Sequence, residues 1–215
     1  MDLRKIPIFK NLSEDEIKEI QDIATIEEKT FEKGSHIFKK GDIKEDFYYL
    51  VKGSIKVYKI DPEGKRYIIA SFNKPVIFGE VYAYLKEPFD FWAEADKDST
   101  VIVISDFRNL LKSLKSRSLG LNFIDLLARK SLSLSKKNQI NSQSTLEQKI
   151  AAYILENEKD GIVHLNISRE ELADYLAVTR PSLSRSLSAM AKEGLIAIKD
   201  KQITIENIEG LKSIV

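Results

Sequence analysis

The sequence predicts an α+β chain in three parts. These are a β-roll (jelly roll) over residues 1–105, one long helix over 106–142, and a winged helix-turn-helix over 143–215. Three observations predict this. Five of the nine glycines (Gly34, Gly41, Gly53, Gly64, Gly79) lie close together and separate short β-branched and aromatic runs. From Asp106 to Asn141 there is no proline and a single glycine, Gly120. Beyond residue 145 the order is helix, short turn, helix, hairpin.

Within the first part, "LSEDEIKEI" opens with Ser13 and Glu16 three residues apart, a capping box that starts a short helix. "DFYYLVKG", "SIKVYKI" and "RYIIASF" read as strands, because β-branched and aromatic side chains suit a pleated surface. "DPEG" (61–64) is a turn, with Pro62 suited to its second position and Gly64 to its last. "FWAEAD" and "STVIVIS" add two more strands. Several short strands at this spacing predict a sandwich or a barrel-like roll.

The strand pattern stops at Ser105. Phe123, Leu126, Leu127, Leu132 and Leu134 then fall among Lys, Arg, Ser and Asn at helical but imperfect spacing. Leu132 and Leu134 cannot share one narrow seam, and Lys130 interrupts it. Spacing alone leaves open a helix packed on the strands or a dimerisation helix with basic outer faces. Residues 105–144 carry eight basic side chains (Arg108, Lys112, Lys115, Arg117, Arg129, Lys130, Lys136, Lys137) against Asp106 and Asp125. The net charge of +1 for the whole chain argues against indiscriminate nucleic-acid binding but allows a local basic face.

In the last part, Leu146, Ile150, Tyr153 and Ile154 are in helical register, Gly161 ends that helix, and "IVHLNI" is a short strand candidate. "SREELADYLAV" opens with a second capping box, Ser168 and Glu171. Ala177-Val178-Thr179 then leads into the stretch that ends "RPSLSRSLSAM", and "LIAIKDKQITI" follows Gly194 as a hairpin.

Serine and proline are poor helix formers, so propensity does not explain residues 180–190. At about 100° per residue, Leu183, Leu187 and Met190 fall within roughly 60° of arc, a compact face to bury. Arg180, Pro181, Ser184, Arg185 and Ser188 occupy another arc of roughly 140°. Thr179 is placed to cap the helix, and Pro181 sits in the first turn, where its missing N–H removes no helical bond. No acidic residue occurs between Asp174 and Glu193. A solvated surface helix more often mixes Glu with Lys to gain i,i+4 pairs. Arginine can bond a guanine edge through two parallel hydrogen bonds, and short hydroxyls let a helix approach a groove floor. This face is expected to contact DNA through Arg180, Ser184 and Arg185, with Thr179, Ser182 and Arg169 in support.

Composition excludes several classes. Without cysteine there is no disulfide, cysteine nucleophile or cysteine-held iron–sulfur cluster or zinc. Two histidines, His36 and His164, cannot make a three-histidine metal site within one chain. No glycine-flanked nucleophile elbow occurs, so the chain is not expected to be an enzyme. No apolar run reaches membrane-spanning length, and the first ten residues do not read as a signal peptide, so no membrane is expected and the location is expected to be cytoplasmic.

The order of parts resembles the cyclic AMP receptor and fumarate–nitrate regulator superfamily of bacterial transcription factors. The resemblance covers essentially the whole chain. It is carried by "IPIFKNLSEDEI", "FEKGSHIFKKGD" (31–42), "YYLVKGSIKVYK" (48–59), "FGE" (78–80) and "ISREELADYLAVTRPSLSRSLSAMAKEGLI". It implies a roll of the cyclic-nucleotide-binding type, a homodimer joined through the long helix, and a palindromic double-stranded DNA operator. RNA polymerase is an implied partner if the protein activates. The family's base-reading Glu-x-x-Ser-Arg falls on Pro181, Ser184 and Arg185. Ser184 and Arg185 match, while Pro181 lacks the acceptor that could bond cytosine, so the base preference there should differ.

For the effector, the resemblance implies a Gly-Glu pair on a ribose, kept as Gly79-Glu80, which equally well closes a tight turn. The Arg-Ser that neutralises a cyclic phosphate falls on Asp90-Phe91, or on Phe89-Asp90 with a one-residue gap. No arginine lies between Arg66 and Arg108, so cyclic nucleotide binding is expected to be lost. Tyr82, Tyr84, Phe89, Phe91 and Trp92 cluster there instead. They read either as core or as an apolar pocket for an unidentified small-molecule effector, with Gly79 and Glu80 at its edge. Haem held by His36 or His164 is a weaker alternative, and no cofactor is expected. A regulator that needs no ligand, and a ligand-binding module acting through protein contacts, remain the rival readings.

Overall fold

The computed structural model describes residues 3–113 and 117–215. Its contacts divide the chain into two compact units, Met1–Leu126 and Leu127–Val215.

The first unit opens with two 3-10 turns, Leu3–Lys5 and Pro7–Phe9, and then α1 (Glu14–Ile23). The foreseen capping box is present: Glu16 N donates to Ser13 Oγ at 3.2 Å, and Ser13 N donates to Glu16 Oε2 at 2.7 Å. The strands β1 (Ile26–Phe31), β2 (His36–Phe38), β3 (Phe47–Ile60), β4 (Arg66–Phe72) and β5 (Val76–Phe78) follow. After them come α2 (Glu80–Leu85), β6 (Trp92–Ile104) and α3 (Phe107–Ser113). All pairs are antiparallel, in the order β1-β6-β3-β4, with β2 also on β6 and β5 also on β3.

Two expectations for the strands need correction. "DFYYLVKG" and "SIKVYKI" form one strand, β3, and "FWAEAD" and "STVIVIS" form one strand, β6. Gly53 bends β3 rather than ending it. Its φ of +108° is open to glycine, and an added Cβ would lie 2.6 Å from Ser99 Cα and 2.7 Å from Asp98 O. The β3–β6 register shifts on both sides of this bulge. The buried Ser99 hydroxyl accepts from Ser54 N at 3.0 Å, taking up a ladder group there.

The run Phe47–Leu50 is buried throughout because both faces of the sheet are covered. Tyr48 and Leu50 join Phe38, Ile55, Val57, Phe78, Phe89 and Val101 in the roll interior. On the other face, Phe47 meets Phe107 edge-on at 4.3 Å, and the Tyr49 hydroxyl donates to Lys5 O at 3.4 Å.

Residues 106–142 were expected to form one helix. The described residues form α3 and then α4 (Arg117–Asn141), with 114–116 outside the described residues. Asp106 has φ +52° and so stands outside the helical conformation. α3 buries Phe107 and Leu110 fully within the first unit. Along α4, Leu121, Ile124, Leu132 and Leu134 are all exposed.

The second unit contains the later half of α4 and then α5 (Leu146–Asn157), β7 (Ile162–His164), α6 (Arg169–Tyr175) and α7 (Arg180–Lys192). The hairpin β8 (Ile196–Lys199) and β9 (Gln202–Ile205) and the helix α8 (Ile208–Ile214) complete it. β7 adds to the hairpin, giving an antiparallel sheet in the order β7-β9-β8. Ile140, Ile150, Ile154, Leu172, Leu183, Leu187, Met190, Ile203 and Leu211 share one core. The Ser168–Glu171 capping box forms as expected. A third box, Thr145 with Gln148, and the helix α8 were not foreseen.

Candidate nucleic-acid interface

α7 has the two faces its sequence requires. Leu183, Leu187 and Met190 are no more than 2% exposed, while Arg180, Pro181, Ser184, Arg185 and Ser188 are exposed. Thr179 caps the helix, accepting from Ser182 N at 3.4 Å, and its hydroxyl donates to Ser182 Oγ at 2.9 Å. Thr179 and Ser182 therefore already spend part of their bonding capacity on each other. Ser188 Oγ donates back to Ser184 O at 2.9 Å, which occupies its proton within the helix. Arg185 Nη2 reaches Ser182 Oγ at 3.4 Å, and Arg180 Nη1 lies 3.6 Å from Glu170 Oε2 between exposed side chains. Such solvated contacts are weak, so both guanidiniums can swing to another acceptor.

Arg169, at the start of α6, is half-buried, and burial lowers its guanidinium pKa from the usual value. Its Nη1 is buried without a protein hydrogen-bond partner. Arg169 and Arg180 line one cleft together with Glu170, Asp200 and Lys201. Lys201, in the hairpin turn, escaped the sequence reading; a lone lysine in a polar turn carries no signal of its own. Three cations, Arg169, Arg180 and Lys201, thus line this cleft beside two carboxylates, Glu170 and Asp200; cations and hydroxyls are the groups from which phosphate and base edges accept hydrogen bonds.

The aromatic and Gly-Glu residues of the roll are not gathered into one place. Gly79, with φ +79°, precedes α2, and an added Cβ would lie 2.9 Å from the Tyr48 ring. Glu80 is buried at the start of α2. Tyr82 and Phe91 meet edge-on at 5.2 Å and pack around Phe89, which stacks on Phe38 at 3.7 Å. Tyr84 instead faces Phe123 of α4, with Arg108 over its ring. Trp92 stacks on Tyr58 at 5.8 Å, in a cluster where the Tyr58 hydroxyl donates to Glu94 Oε2 at 3.0 Å. His36 Nε2 is 3.0 Å from the same hydroxyl, and His164 is exposed on β7. Desolvation, and then the Asp90 carboxylate that its hydroxyl bonds, push the Tyr82 pKa up to about 12.

An antiparallel roll, a long helix and a helix-turn-helix with a basic, acid-free second helix define a transcription regulator rather than an enzyme. A model of the Crp-like helix-turn-helix domain matches residues 148–214, and one of the cyclic nucleotide-binding domain matches residues 28–113. The chain is 27% identical over 195 residues to the nitrogen fixation regulation protein FixK of Rhizobium meliloti, covering 86% of this chain and 85% of that protein. It is 28% identical to the fumarate and nitrate reduction regulatory protein of Yersinia pestis, covering 93% and 82%. A solved structure of a CooA mutant from Carboxydothermus hydrogenoformans shares the fold, with a TM-score of 0.66 at 17% identity over 99% of this chain and 95% of that one. The chain belongs to the cyclic AMP receptor and fumarate–nitrate regulator superfamily of DNA-binding transcription regulators. Among the described residues, no helix is long and apolar enough to cross a membrane.

Proposed function

We propose that the protein dimerises through α4 and reads a two-fold symmetric operator with α7, with Arg180, Ser184 and Arg185 as the principal DNA contacts. Thr179, Ser182 and Arg169 support them. The observation that carries this is the division of α7 into a buried Leu183–Leu187–Met190 face and an exposed face of arginines and hydroxyls without a carboxylate. The roll senses a small effector other than cyclic AMP, which biases the dimer through its differential affinity for two arrangements. No cysteine-held iron–sulfur cluster enters this reading, because there is no cysteine to hold one.

A second reading, regulation without a ligand, is favoured by the Phe38–Phe89 stack at 3.7 Å, which fills roll interior with side chain. Selection of bound sequences from a randomised duplex library, with purified protein and no added ligand, tests both. A palindromic motif supports dimeric readout without an effector. Weak, salt-sensitive retention without enrichment counts against ligand-free readout. If adding cellular small molecules still yields no motif, sequence-specific binding is refuted.

A further inference from the structure

We propose that Asn141 is a positioning residue for base readout, fixing the turn that aims α7; this rests on the reading that α7 contacts base edges. The last carbonyls of a helix have no intrahelical partner. At the end of α6 one of them, Tyr175 O, accepts from Asn141 Nδ2 at 2.9 Å. The next, Leu176 O, lies 3.5 Å from Lys149 Nζ, a much weaker contact. The turn needs holding. Ala177 has φ +54°, a left-handed conformation that a residue with a Cβ disfavours, and it sits three residues before the first residue of α7.

The clamp comes from α4. Asn141 is the last residue of that helix, and its neighbour Ile140 is buried in the core of the second unit. Two further contacts support it: Lys137 Nζ lies 5.4 Å from the Tyr175 ring centroid, and Lys136 Nζ is 2.6 Å from Glu156 Oε1. Only one orientation of the amide serves, since its carbonyl oxygen would repel Tyr175 O. In that orientation Asn141 Oδ1 is buried without a protein hydrogen-bond partner. The side chain is thus committed to a single donation into the turn. Asn141 and the helix-turn-helix lie in one compact unit, so the end of α4 and the end of α6, where the turn into α7 begins, are joined by one hydrogen bond across 34 residues of sequence.

The test uses the full chain and the motif selected with the wild type. Asn141→Asp keeps the size but loses the donor, Asn141→Ala removes the group, and Asn141→Gln keeps a donor on a longer arm. Binding is measured to the motif and to a scrambled duplex at one salt concentration. Amide hydrogen exchange is followed at Ala177 and Val178, whose N–H groups donate to Asp174 O and Ala173 O. With Asp and with Ala, motif affinity is expected to fall about tenfold while scrambled-duplex affinity stays within about twofold. Exchange at the two amides should quicken, and Gln should fall between Ala and wild type. If Asn141→Asp does not fold, Ala and Gln carry the comparison. An unchanged ratio of the two affinities, even with a lower melting temperature, makes Asn141 purely structural and overturns the proposal. If the wild type itself does not prefer the motif, the reading of α7 fails instead, and the proposal falls with it.

Discussion

Asp90 Oδ2 accepts a hydrogen bond from Lys59 Nζ at 2.6 Å, so the lysine of β3 is already matched by a carboxylate of the chain itself. The Tyr82 hydroxyl donates to the other oxygen, Oδ1, at 2.7 Å. The family resemblance would place a phosphate-neutralising arginine at or next to this carboxylate. A cyclic phosphate here would meet an anion and would have to displace that anion from Lys59. Cyclic AMP is therefore expected to produce no binding heat and no shift in melting temperature. A dissociation constant below about 1 mM, the weak end of specific recognition, counts against this account of the roll.

The same pair has a pH signature. The hydrogen bond from Lys59, and after it that from Tyr82, hold the Asp90 pKa below its ordinary value of 3.8. A depressed carboxylate pKa means that the unfolded chain binds the proton first as pH falls. The pair's contribution is thus full above about pH 4 and is lost as pH drops through the lower folded value. Both side chains are about half exposed, so its size is at most about 1 kcal/mol. The stability difference between wild type and Asp90→Asn should be constant from about pH 6 to 4 and shrink below that. Denaturant melts across this range measure it, and a difference that does not change with pH removes the pair as its cause.

Arg185 is exposed on α7 and holds only one long contact, to Ser182 Oγ at 3.4 Å. Arg185→Ala should leave folding stability within about 0.5 kcal/mol. It should cost about 1–3 kcal/mol of operator affinity and relax base preference at one position of each half-site. Equal losses on operator and scrambled DNA would reassign Arg185 to a phosphate.

The parts legible in the sequence were those whose cause is local. Ser13 with Glu16 and Ser168 with Glu171 are only three residues apart, the two faces of α7 lie within one helix, and all formed as read. What escaped depends on partners distant along the chain. The continuity of β3 through Gly53 depends on Ser99, and the ring that Tyr84 meets, Phe123, lies far along the chain. Asn141 reads in sequence as an ordinary helix-ending residue, and only the folded chain brings it to Tyr175 O. The Thr145–Gln148 capping box is as local as the other two.

Two glycines should respond differently to alanine. Gly64 has φ +85° with nothing near the added Cβ, so Gly64→Ala meets only the left-handed penalty, about 1–2 kcal/mol. Gly53→Ala adds collisions with Ser99 and with Asp98 O, backbone atoms that cannot move without breaking the β3–β6 ladder. Its cost should exceed about 4 kcal/mol, enough to threaten the fold. Thermal or denaturant melts compare the two, and equal costs would show that the β3–β6 approach yields easily.

The exposed seam of α4 is where the proposed dimer would join. Leu121 is 51% and Ile124 62% exposed in the single chain. At about 100° per residue they share a stripe with Ala128, Ser131 and Ser135, which are also exposed. The stripe is apolar at its start and small and polar further on. Covering its first part with a second copy would gain about 1.5–3 kcal/mol for each large side chain buried. Ile124→Glu would set like charges against each other across a two-fold axis while burying nothing in the single chain. It should give a folded monomer by analytical ultracentrifugation, with palindrome binding reduced to that of an isolated half-site, because the second half-site is then no longer held at high effective concentration. A variant that still sediments as a dimer would move the interface away from this seam.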